Sequence, residues 1–136
     1  MRSAFIVRVM RNFGAMVIGY AVIVLLTSTG FNGLLGGRSL YGGSPFDLVA
    51  GMMVAILSGV AGGCIAGFIG AERGTINAAF VIVPLIGDTI YVLFLFKKST
   101  APFWFDAMAS VTLMLCTVLG GILRERIARS RKTITA

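Results

Sequence analysis

The sequence predicts an all-α integral membrane protein: four transmembrane helices, both termini cytoplasmic, arranged as antiparallel helix hairpins around a glycine-rich second helix. Three observations predict it. The chain of 136 residues is 57% hydrophobic and only 12% charged, with a strongly positive mean hydropathy, a composition outside the range of soluble domains. Four apolar stretches, Phe13–Thr29, Leu48–Ala71, Thr75–Phe96 and Ala101–Leu123, have the length needed to cross about 30 Å of hydrocarbon as helices. The cations divide unevenly about those stretches. With the N-terminus inside, Arg2, Arg8, Arg11, Arg73, Arg124, Arg126, Arg129, Arg131 and Lys132 are cytoplasmic, against Arg38, Lys97 and Lys98 outside, as the positive-inside rule requires.

Residues 1–12 form a basic lead-in. On a helix Phe5, Ile6, Val9, Met10 and Phe13 share one face and Arg8 and Arg11 the other, the pattern of a segment lying at a membrane interface. The arginines and the apolar run Met16–Leu26 also fit the first two regions of a signal peptide. No A-x-A-like cleavage site follows in Thr27-Ser28-Thr29-Gly30, so the first helix is expected to be retained.

The segment from Gly30 to Asp47 contains Gly30, Gly33, Gly36, Gly37, Gly42, Gly43 and Ser44-Pro45. It is expected to form turns and irregular coil, with no helix of any length. In the second span small residues recur at every fourth position: Gly51, Ala55, Gly59, Gly63, Gly67 and Ala71. A four-residue spacing draws one stripe along a helix, and in lipid a stripe without side chains marks where another backbone comes close. A second row, Ser58, Gly62, Ala66 and Gly70, runs beside the first. Such a helix accepts close neighbours on two sides. These are helices of the same chain, further copies of it, or subunits of a larger complex.

Short connections, Glu72-Arg73-Gly74 and Lys97 to Thr100, make spans two, three and four consecutive antiparallel neighbours. The third span holds Asp88, about 4 Å from its middle by helix rise. A carboxyl at that depth is costly and is by default a candidate functional residue. Pro84 frees the carbonyl of Phe80 one turn away, and Asn77, Pro84, Asp88 and Tyr91 fall on one stripe, expected to face protein. In span four Asp106, Ser110 and Thr117 share a stripe. Equal depth sets Asp88 beside Ser110, and Tyr91 beside Asp106. This seam is either a protonatable or cation-binding track or a set of buried hydrogen bonds fixing register, with Asp88 neutral. Phe103, Trp104 and Phe105 fall at the outer interface, as an aromatic belt does.

Residues 124–136 form a basic cytoplasmic tail in which Arg124, Arg126, Arg129, Arg131 and Lys132 face a single acid, Glu125. It suits anionic lipid headgroups or an acidic partner surface. The net charge of +7 is thereby a matter of topology and lipid contact, and no nucleic-acid partner is expected. Histidine is absent, and Cys64 and Cys116 stand alone in separate spans, so neither a thiolate–metal spacing nor a haem ligand set exists. No catalytic triad, metal site or cofactor site is expected.

These features point to a small non-catalytic membrane protein, an accessory or assembly subunit packing by a small-residue helix face into a larger membrane complex. The alternative is a homo-oligomeric ion- or proton-coupled channel or transporter using Asp88. A compact basic chain of this kind suits a bacterial inner membrane. No family is assigned. The fourfold glycine spacing is not the twofold spacing of rotary-ATPase ring subunits, and the first span lacks the glutamate of small multidrug exporters.

Overall fold

The computed structural model describes residues 2–36, 41, 43–70, 73–95 and 102–134. Its elements are four helices: α1 (Arg2–Leu35), α2 (Pro45–Ile69), α3 (Gly74–Ile90), continued by a π-helical turn over Tyr91–Leu95, and α4 (Phe103–Ile134). Each α-helix, with α3 counted together with its π-helical turn, is long and apolar enough to cross a membrane.

The helix surfaces confirm an inside-out pattern. Leu25, Val83 and Leu115 are 67%, 62% and 61% exposed, and many other large apolar side chains point outward with them. Water does not tolerate so much contiguous apolar surface, whereas hydrocarbon does. The interior is small and close-packed: Ile23, Ala66, Val81 and Leu85 form its centre, with Tyr20, Leu113 and Met114 packed against them.

α2 and α3 lie close to each other and to both flanking helices, α1 and α4, while the backbones of α1 and α4 do not approach one another among the described residues. The cross-section is therefore a rhombus with α2 and α3 on its short diagonal. The two small-residue rows of α2 explain why. Gly59 meets Leu113 and Cys116 of α4, where an added Cβ would lie 2.9 Å from either. At Gly63 that Cβ would fall on the carbonyl oxygen of Thr117. The second row faces α1: a Cβ on Gly62 would enter Ile23, and Ala66 packs on Gly19. The middle of each row is thus occupied by a helix of the same chain.

Span four answers with glycines of its own. Gly120 closes on the backbone of Val60 and Cys64 in α2, and Gly121 on Gly74 and Ala78 in α3. The Cys64 thiol donates to the Gly120 carbonyl at 3.1 Å. Cys64 and Cys116 are both free thiols.

The segment expected to be coil from Gly30 to Asp47 is helical at both ends. α1 continues through Gly30 to Leu35, and α2 already begins at Pro45. Gly30 fits because it sits against Val54 of α2, where a Cβ would lie 2.5 Å from a Val54 methyl; a missing side chain here permits helix contact. The start of α2 is fixed by a capping box. The Ser44 hydroxyl accepts from the Asp47 amide at 3.2 Å, and the Asp47 carboxylate accepts from the Ser44 amide at 3.1 Å, with Pro45 pre-set for the first turn. The lead-in is continuous with α1, and α4 runs unbroken into the basic tail. Glu72, Arg38, Lys97 and Lys98 lie outside the described residues.

Candidate functional site

Two places hold polar groups that the core does not absorb: the outer face of α3 and one end of the bundle. Asn77 is 1% exposed, and Pro84 is half-buried, but Asp88 and Tyr91 are exposed. The stripe expected to face protein along its whole length therefore turns outward near its middle. Beyond Leu85, which is 4% exposed, no described residue of α3 or of the π-helical turn is buried. Pro84 lies at that change and interrupts the hydrogen-bond ladder. Gly87, three residues beyond Pro84, has nothing within 4 Å of where a Cβ would be.

Asp88 consequently sits about 5 Å from the middle of the Gly74–Leu95 span by helix rise, on the surface of the bundle. No hydrogen bond to the Asp88 carboxyl occurs among the described residues. Ser110, the partner that equal depth suggested for Asp88, is engaged elsewhere. Ser110 is half-buried and donates to the Asp106 carbonyl of its own helix at 3.0 Å, and Thr89 donates to the Leu85 carbonyl at 2.7 Å. Asp106 is half-buried in the first turn of α4. These two hydroxyls thus turn back on their own helices, and no hydrogen bond joins Asp88 to Ser110.

At the other end of the bundle the start of α1, the end of α2, the start of α3 and the last third of α4 converge. Arg11 reaches across from α1 and donates to the carbonyls of Ile69 and Gly70, at 2.9 and 2.7 Å. These belong to the end of α2, where a cation is favoured by the helix dipole and by the unsatisfied carbonyls. Arg124 lies over the ring of Phe68 at 4.2 Å, a cation–π contact. Glu125 accepts from Thr75 at 2.9 Å and from Arg129 at 2.7 Å, tying α4 to the first turn of α3. Between these groups lies a cleft of about 310 Å³ lined by Arg11, Arg73, Arg124 and Arg129, with Glu125 as its acid.

Of the basic tail, Arg124 is half-buried while Arg126 and Arg129 are exposed; the side chains of Arg131 and Lys132 lie outside the described residues. The sequence reading placed Arg124 and Arg129 in a tail and missed that Arg11 and Arg73 join them. Only the cytoplasmic assignment common to all four hinted at it. A second cleft of about 210 Å³, lined by Phe31, Met52, Ala55, Trp104, Phe105 and Met108, opens between α1, α2 and α4 at the opposite end and is almost wholly apolar. Among the described residues no group of three or more metal-ligating side chains occurs.

Compared with known protein families, curated proteins and solved structures, the chain matches none of them.

Proposed function

We propose that this chain is a non-catalytic accessory or assembly subunit of a larger membrane complex, docking through the outer face of α3. The observation that supports this reading is the exposed Asp88. A carboxyl facing hydrocarbon near mid-depth is costly unless it is neutral and hydrogen-bonded or meets a cation. A polar or cationic side chain on a transmembrane helix of another subunit meets that need. The small-residue rows of α2 contribute differently from the expectation: they assemble the four-helix unit and leave docking to α3. The cationic end faces the cytoplasm in this reading, in keeping with the charge bias of the chain.

The test is the composition of the particle purified through a C-terminal tag in a mild detergent. Other subunits at fixed stoichiometry, lost from an Asp88→Leu variant that still elutes as a folded particle, are the expected result. A chain that purifies alone as a monomer would sink the subunit reading.

A second reading keeps Asp88 as the titrating residue of a homo-oligomeric ion- or proton-coupled carrier. It is favoured by the π-helical turn at Tyr91–Leu95 immediately after Asp88, since π-helical turns recur at functional sites. A homo-oligomer whose liposome flux is abolished by Asp88→Asn, with assembly retained, selects it.

A further inference from the structure

The arginine-lined cleft is short of negative charge in a way that a ligand would correct. Four arginines surround it and one glutamate answers them. Both oxygens of that glutamate are already taken, one by Thr75 and one by Arg129. The Nε of Arg124 is buried and donates to no acceptor, although a guanidinium carries five donors and a buried charged donor left unmade is costly. Arg11 spends two of its donors on α2. α3 opens into the same cleft, and its N-cap residue, Arg73, makes no side-chain capping bond. Of the first-turn amides of α3, that of Thr75 already donates to the Glu125 carboxylate, so the donors left to the space are those of the arginines.

A volume of about 310 Å³ is at the lower end of small-ligand pockets, roughly 300–1,000 Å³. It accommodates a small tetrahedral anion. Planar guanidinium forks are suited to phosphate oxygens.

We propose that this cleft binds a phosphate group, presented either by the headgroup of an anionic phospholipid or by a free phosphate ester. Arg73, Arg124 and Arg129 make charge-assisted bonds to its oxygens, and Arg11 holds the end of α2 in place as the far wall. The ligand completes the contact among the four helix ends. The site does not depend on the subunit reading, because all of its walls come from this chain.

The full-length protein in a maltoside detergent, which brings no phosphate, is titrated separately with inorganic phosphate and with short-chain phosphatidic acid. Calorimetry gives affinity, and native mass spectrometry counts the molecules retained. Saturable binding of one equivalent is expected. It should weaken about tenfold in Arg73→Gln and in Arg124→Gln, the size of a lost charge-assisted bond. Arg126→Gln, exposed at the same end but outside the lining, should change it by no more than about twofold, as a screened surface charge does. Binding of both probes assigns a free phosphate ester as an admissible ligand; binding of phosphatidic acid alone assigns the lipid headgroup. Should Arg124→Gln aggregate, Arg73→Gln carries the comparison, since that side chain is exposed. No saturable binding of either probe, or equal losses in all three variants, overturns the proposal.

Discussion

At the scale of single residues, the least forgiving positions in this protein are those with no side chain. Gly63 faces the Thr117 carbonyl so closely that one methyl cannot be placed without moving backbone. Gly63→Ala is expected to destabilise the bundle by about 1–3 kcal/mol, the usual cost of overpacking, or more because the obstacle is main chain. Gly87 is its control. With open space around it and a helical backbone, Gly87→Ala should be neutral or stabilising by up to about 1 kcal/mol. Unfolding in mixed detergent–SDS micelles compares the two, and equal effects would contradict the packing derived from the helix contacts. Asp88 supplies the opposite case. It is exposed and holds no hydrogen bond within the described chain, so Asp88→Asn should leave the isolated four-helix unit as stable as before. A large loss of stability in that unit would place Asp88 in the fold and not at an interface.

At the scale of elements, each helix is terminated or continued by an identifiable device. The Ser44–Asp47 box begins α2, and Ser44→Ala should cost about 1 kcal/mol by removing the acceptor for the Asp47 amide. Ser44→Asp, which keeps an acceptor there, should recover most of the loss; failure to recover would show that the hydroxyl acts through its other bond, to the Asp47 carboxylate at 2.9 Å. The end of α2 is held by Arg11 from another helix, so Arg11→Gln should loosen the α1–α2 contact and raise hydrogen exchange at Ile69 and Gly70. α3 is the odd element. Its first half is core and its second half is surface, with Pro84 between them, so the portion bearing Asp88 is the one least constrained by its own chain.

At the scale of the whole molecule, charge and hydropathy set the arrangement relative to the bilayer. All four described cleft arginines lie at one end, and Trp104 and Phe105 lie about the apolar cleft at the other. A membrane-impermeant maleimide should therefore label Gly43→Cys in intact cells and Ser130→Cys only after permeabilisation. The native thiols should remain silent, since Cys64 is half-buried and Cys116 buried between helices. Reversed labelling would invert the topology and put the arginine cleft on the outer side.

The sequence by itself determined what depends on composition and local pattern. Four apolar stretches of membrane-spanning length made an all-helical membrane protein legible, because a backbone in hydrocarbon has to satisfy its hydrogen bonds within the segment. The fourfold spacing of small residues in the second span marked where backbones meet, since that spacing maps onto one helix face. Tertiary structure decided everything that depends on which face meets which neighbour. It directed the two rows of α2 to α4 and α1, and it extended α1 through Gly30, where local propensity indicated a loop, because Val54 fills the space a side chain would have taken. It turned Asp88 outward past Leu85, where the core ends, and it gathered Arg11, Arg73, Arg124 and Arg129 from separate parts of the chain around one cleft. Spacing along one helix fixes a residue's angle about that helix only. The direction of the neighbouring helix, and so the meaning of that angle, is a property of the packed bundle.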